Sequence, residues 1–113
     1  MSKREWKLFV EDILESVELI EGYIAKMEFE DFKRDRKTID AVVRNLEIIG
    51  EASNNIPNDI KSVYKEVDWK GIIGLRNRIA HEYFGVSLTI VWNIIKQELP
   101  HLKEQMKQIL EKG

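Results

Sequence analysis

Apolar side chains recur along the first quarter of this chain with the spacing of one face of an α-helix. The gaps between them alternate between four and three residues, which is the period of a helix and not the two-residue period of a strand. The apolar positions are Trp6, Val10, Ile13, Val17, Ile20, Ile24 and Met27. This uninterrupted seam predicts one long helix that buries a single face, either against another helix of the same chain or against a second copy.

Two later stretches keep the same period, and no stretch alternates as a strand would. One runs from Ile39 to Ala52 and contains Gly50, whose presence inside a helix indicates close approach of a neighbouring helix. The other begins at Ser87, a good N-cap, and keeps its period past Pro100, which predicts a kink because proline lacks a backbone donor.

Shorter helices complete the predicted bundle. Residues 28–37 are predicted to form a connection with the first turn of the next helix. Residues 58–65 are predicted to form a short helix. Asp68 is placed to cap a further helix that runs through Arg76. The predicted fold is all-α, an up-and-down bundle of four to five helices with a kinked C-terminal helix.

Length and composition limit the class of protein. The 113 residues predict one helical domain over 1–113, and the net charge of −2 means that any contact with RNA depends on a local basic patch. The chain has no cysteine, which removes disulfides and thiolate chemistry, and it shows neither a signal peptide nor a membrane span. We therefore expect a cytoplasmic protein without a membrane partner.

The densest group of polar side chains lies between Gly74 and Gly85. It contains Arg76, Asn77, His81 and Tyr83. On a helix, Asn77 and His81 share one face and the long Arg76 side chain can reach the ring, so the group suits a phosphodiester that arginine holds while histidine moves a proton. The alternative is structural, because Arg and His also satisfy the last carbonyls of a helix and the following aromatics also fill cores.

The order Arg76-x4-His81-x-Tyr83, with Asn77 directly after the arginine, resembles the R-x4-6-H signature of the HEPN superfamily. In this form it is similar to the HepT branch, the toxins of minimal nucleotidyltransferase toxin–antitoxin pairs. The similarity extends from about Arg44 to the C-terminus. It includes Arg44-Asn45-Leu46-Glu47-Ile48-Ile49-Gly50-Glu51-Ala52, Asp68-Trp69, Gly74-Leu75-Arg76-Asn77, Val91-Trp92 and Leu99-Pro100-x-Leu102.

The resemblance implies an endoribonuclease that acts on tRNA or another RNA without a metal ion or other cofactor. It implies Arg76 and His81 as the catalytic residues and Tyr83 as the residue that a cognate nucleotidyltransferase antitoxin adenylylates. We assign Asn77 to support of the phosphate or the histidine ring. Lys70, Arg78 and Arg44 are candidate RNA contacts.

RNA cleavage of this kind needs a proton acceptor and a proton donor, whereas one chain offers a single good proton carrier in the motif. A two-fold homodimer that pairs the motif helices would supply two copies of His81 and Arg76 to one composite site, as the resemblance also implies. With only His81 and His101 and no cysteine, no metal site is predicted. The alternative function is a non-catalytic helical dimer that binds a nucleotide or a nucleotidyltransferase.

Overall fold

A computed structural model describes residues 5–79 and 87–113, and every regular element within those ranges is helical. The elements are α1 (Trp6–Ile24), α2 (Phe29–Arg34), α3 (Arg36–Asn55), α4 (Asn58–Val63), α5 (Trp69–Ile73), α6 (Leu75–Ile79), α7 (Leu88–Asn93), a π-helical turn (Ile94–Glu98) and α8 (Leu99–Lys112). The predicted all-α fold is confirmed, with more short helices between the long ones than the periodicity indicated.

The core lies where α1 meets α3 and α8. The α1 seam is buried within the chain itself, and Val10, Ile13, Val17 and Ile20 have no exposed surface. Leu46 of α3 and Met106 of α8 are buried to the same degree. Burying such a side chain contributes about 1.5–3 kcal/mol, so the seam predicted from spacing is a main source of stability.

Helix α2 lies within residues 28–37, where only a connection and one helical turn were predicted. It begins with a reciprocal cap in which the backbone N–H of Glu28 donates to Asp31 Oδ2 at 2.8 Å, while the Glu28 side chain accepts from the Asp31 N–H. Its aromatic rings pack on Trp92, with centroids 5.8 Å away for Phe29 and 5.2 Å for Phe32. Six residues are too few for a periodic signal, and this helix depends on the distant tryptophan.

The irregularity expected at Pro100 takes the form of a π-helical turn just before it. The backbone N–H of Leu99 donates to the carbonyl of Ile94, five residues back, and helical structure continues on both sides. An α-helix would direct a donor from position 100 to the Lys96 carbonyl, and proline has no such donor. The wider turn accommodates this loss without ending the helix.

Gly50 marks the close approach that its position in α3 predicted. A Cβ atom at this residue would lie 3.3 Å from the Ile72 carbonyl oxygen and 3.4 Å from that of Ile73, at the end of α5. The start of α5 is fixed by Asp68, whose Oδ1 accepts from the Gly71 N–H at 3.1 Å, and by the Trp69 ring, whose N–H donates to the Tyr64 carbonyl at 3.0 Å. The end of α5 therefore lies against α3, while its start is held by its own cap and by the Tyr64 carbonyl.

Among the helices in residues 5–79 and 87–113, none combines the length and the apolar character needed to cross a bilayer.

We predict that Gly50→Val lowers the free energy of unfolding by about 1–3 kcal/mol, because its side chain would press on the α5 carbonyls. The matched control is Gly22→Ala in α1, where a Cβ atom meets nothing within 4 Å. That control should stabilise the protein by about 0.5–1 kcal/mol through helix propensity. Urea unfolding followed by circular dichroism measures both, and equal effects of the two changes would contradict the close packing at Gly50.

Candidate functional site

The segment that leads to the motif is divided at Gly74, where a single helix was predicted to run from Trp69 through Arg76. Gly74 has φ −84° and ψ 9°, and its N–H donates to the Lys70 carbonyl at 3.0 Å to close α5. Its own carbonyl accepts from the Arg78 N–H at 3.0 Å, which opens α6. Arg76 therefore lies on a separate short helix, and this part of the prediction was wrong because Gly74 ends one turn and begins the next.

Two of the predicted site residues, His81 and Tyr83, lie outside the described residues. The described residues on either side of 80–86 are joined directly, since the Ser87 N–H donates to the Ile79 carbonyl at 3.1 Å. Ser87 therefore lies next to the carboxyl end of α6.

Arg76 lines an open groove of about 400 Å³ between α3 and the end of α5 with α6. The lining residues are Arg44, Glu47, Gly50, Glu51, Asn54, Ile73 and Arg76. The groove is mixed in charge, with two guanidinium groups, two carboxylates and one carboxamide. We call it the α3–α6 groove.

Helix α3 contributes one polar stripe to the α3–α6 groove. Arg44, Glu47, Glu51 and Asn54 follow one another at intervals of three, four and three residues, so they share one side of the helix. Within this stripe, Arg44 Nη1 lies 4.0 Å from Glu47 Oε1, a loose pair that remains largely in solvent. Such a pair contributes little stability and leaves both groups accessible to a ligand.

Three polar side chains of the groove have no hydrogen bond or ion pair with any other residue in the ranges that the structure describes. They are the guanidinium of Arg76, the carboxylate of Glu51 and the carboxamide of Asn54. All three residues are exposed. A ligand in the groove can therefore bind them without displacing a partner from residues 5–79 or 87–113.

Arg78 lies on the other side of α6 from Arg76. Its Nη1 and Nη2 donate to the two carboxylate oxygens of Glu98 at 3.0 and 2.5 Å. This two-fold hydrogen bond, and the attraction of the Glu98 charge, raise the pKa of Arg78 above its ordinary value. Because both sides of the ion pair are partly exposed, its role is to hold α6 to the π-helical turn at modest energy.

The pair between Arg78 and Glu98 lies at a second concavity, of about 540 Å³, between α5–α6 and α8. Apolar side chains such as Leu75 and Leu102 line it, and His101 stands at its edge. His101 is exposed, which confirms its prediction as a surface residue. Across residues 5–79 and 87–113, no three side chains of the His, Cys, Asp or Glu type are grouped to hold a metal ion.

The structure thus brings two of the predicted residues, Arg44 and Arg76, into one groove. Lys70 and Asn77 are exposed but do not line the α3–α6 groove, and Arg78 points elsewhere. Glu51 and Asn54 were not among the predicted site residues. The polar stripe opposite the buried face of α3 was the signal that could have indicated them.

The match to known families extends over most of the chain. A family model described as "Ribonuclease HepT-like" matches residues 13–109. The chain belongs to the HepT-like family. Its predicted membership in the HEPN superfamily is thereby confirmed.

Relatives of this HepT-like chain are similar over nearly their whole length. A protein of Thermococcus cleftensis named "Probable ribonuclease HepT" is 45% identical over 95% of this chain and 97% of its own. A "Putative RNase" of Methanocaldococcus jannaschii is 38% identical over 98% of this chain and 92% of its own. A "Putative RNase" of Caldanaerobacter subterraneus subsp. tengcongensis is 42% identical over 92% of this chain and 93% of its own. No solved structure matches this HepT-like chain.

We predict that Arg76→Ala and Arg78→Ala have different effects on the free energy of unfolding. Arg78→Ala removes the ion pair with Glu98 and should cost about 0.2–1 kcal/mol, whereas Arg76→Ala should have little effect because its guanidinium has no partner among the described residues. Urea unfolding of both variants, together with Glu98→Gln and the double variant, isolates the pair. Additive effects of the Arg78 and Glu98 changes would show that the ion pair contributes nothing.

Proposed function

We propose that this chain is a metal-independent endoribonuclease, the toxin of a type VII-like toxin–antitoxin pair, acting on tRNA or another RNA. The observation that carries the proposal is Arg76 in the α3–α6 groove, whose guanidinium has no partner among the described residues, in a chain that belongs to the HepT-like family. The relatives named as ribonucleases support the same reaction class.

Arg76 binds the scissile phosphate in this proposal. A planar guanidinium donates to two phosphate oxygens at once and keeps its charge at every physiological pH. Arg44, across the groove on α3, supplies a second positive charge for the same backbone or for the neighbouring phosphate. These two guanidinium groups supply positive charge at the groove itself, which a chain of net charge −2 does not offer as a whole.

His81, which follows α6 by two residues, moves the proton. The 2′-hydroxyl of the nucleotide must lose a proton to attack its own 3′-phosphate, and the 5′-oxygen must gain one as it leaves. A homodimer with a composite site supplies both steps, with one His81 as base and the second as acid. Asn77 supports the phosphate or the histidine ring, and Lys70 contributes a further charge for RNA.

Tyr83 is the control point in this proposal. A cognate nucleotidyltransferase antitoxin transfers the adenylyl group of ATP to its hydroxyl, which loses its proton as pyrophosphate leaves. The attached nucleotide carries a negative phosphate close to His81 in sequence. Its bulk and charge oppose the binding of RNA. Tyr83→Phe should therefore stay active when expressed with the antitoxin, while the parent protein loses activity and gains the mass of an adenylyl group. Equal inactivation of both proteins would place the control elsewhere.

The test of the nuclease itself is incubation of the purified protein, with Tyr83 shown by mass to be unmodified, with total RNA in EDTA. Discrete cleavage is expected for the parent, and His81→Ala should lower the rate by about 10²-fold or more because proton transfer is lost. Arg76→Ala should lower the rate by a similar factor through loss of charge stabilisation.

The matched control is Arg36→Ala, which removes one arginine from the exposed start of α3, away from the groove-lining residues. It should cleave at the parent rate. If the unmodified parent cuts no RNA, the nuclease proposal fails for the RNAs tested. The alternative, a helical dimer that grips a nucleotide or a nucleotidyltransferase without cleaving, would then be favoured.

A further inference from the structure

The α3–α6 groove contains groups that binding a phosphate does not explain. Arg44 and Arg76 suit an anion, but Glu51 repels one, and its carboxylate has no partner among the residues that the structure describes. A groove that bound only the RNA backbone would be disfavoured by this charge. Glu51 therefore calls for a ligand group that donates hydrogen bonds.

In single-stranded RNA, the donors are the 2′-hydroxyls and the edges of the bases, and sequence is read on unpaired bases. Guanine is the base whose Watson–Crick edge presents two adjacent donors, N1–H and the N2 amine. A carboxylate has two acceptor oxygens and no donor, so it matches this pair in the same two-fold way that it matches a guanidinium.

Asn54 extends the match. It lies three residues after Glu51 on the same side of α3, a spacing that places side chains about 5–6 Å apart at Cβ. Its carboxamide can donate to the O6 acceptor of guanine while Glu51 accepts from N1 and N2. Ile73 gives the groove an apolar wall for the face of the base.

We propose that the α3–α6 groove binds a guanine base of the RNA next to the phosphate held by Arg76, with Glu51 and Asn54 as the specificity-determining residues. The inference rests on the proposed function, since it assigns a base preference to the same substrate. Glu47 is the matched control, because it lies one turn earlier in the stripe and faces the guanidinium of Arg44 instead.

The experiment measures the binding of short 2′-fluoro RNA, which has no 2′-hydroxyl to attack the phosphate, so affinity is read independently of cleavage. Adenosine pentamers carry either guanosine or inosine at the centre, and inosine differs by the missing N2 amine. Fluorescence anisotropy gives the dissociation constants for the parent, Glu51→Gln, Glu47→Gln and Arg76→Ala.

The parent should bind the guanosine oligomer about tenfold more tightly than the inosine oligomer, because inosine lacks one of the two hydrogen bonds to the Glu51 carboxylate. Glu51→Gln should reduce this ratio to about twofold or less, because the amide offers a single acceptor oxygen. Glu47→Gln should keep the parent ratio. Asn54→Asp should weaken the binding of the guanosine oligomer, because a carboxylate oxygen, which is an acceptor, would face the O6 acceptor of guanine.

The two proposals fail in different ways. Three outcomes would overturn the proposed guanine site. They are a parent protein without preference for guanosine over inosine, an unchanged affinity ratio in Glu51→Gln, and an equal fall of that ratio in Glu47→Gln. Arg76→Ala should weaken the binding of both oligomers equally and leave the ratio of their affinities unchanged. Unchanged affinity in that variant would contradict the phosphate site of the proposed function. The ratio would still report on the role of Glu51. A parent that binds neither oligomer overturns both.

Discussion

The contact between Gly50 and the last carbonyls of α5 determines where the groove residues can lie. With only a hydrogen in place of a side chain, α3 approaches the Ile72 and Ile73 oxygens at a distance that a Cβ atom would make tight. Glycine within a helix costs about 1 kcal/mol relative to alanine, and the apolar burial on both sides of the contact offsets it. Since α6 starts directly after α5, the same contact sets Arg76 beside Arg44.

Helix α6 separates two arginines that are neighbours in the sequence. Leu75 and Ile79 are buried, one turn apart, and they fix how the helix is rotated against the core. Residues two apart on a helix differ by about 200° in direction, so Arg76 and Arg78 project to different sides. Arg78 is held by Glu98 and secures α6 to the π-helical turn, while Arg76 faces the α3–α6 groove without a partner among the described residues.

Membership in the HepT-like family and the composition of the groove bear on different questions. The family and its relatives named as ribonucleases narrow the class of reaction that we propose. The groove concerns the ligand, because its charges are balanced and a purely electrostatic site for polyanions would not include two carboxylates. This composition is the basis of our proposal that the groove distinguishes among RNA sequences as well as holding the backbone.

The sequence by itself determined the helical class, the buried seams and the family, because these depend on residue spacing and on a local motif. It also indicated the close approach at Gly50 and the exposure of His101. It did not reveal α2, which is stabilised by Trp92 some sixty positions away, nor the break at Gly74. It proposed Arg44, Lys70 and Arg78 alike as RNA contacts. Only the tertiary structure placed Arg44 with Arg76, paired Arg78 with Glu98 and added Glu51 and Asn54 to the groove, because such neighbours arise from helix packing between distant segments.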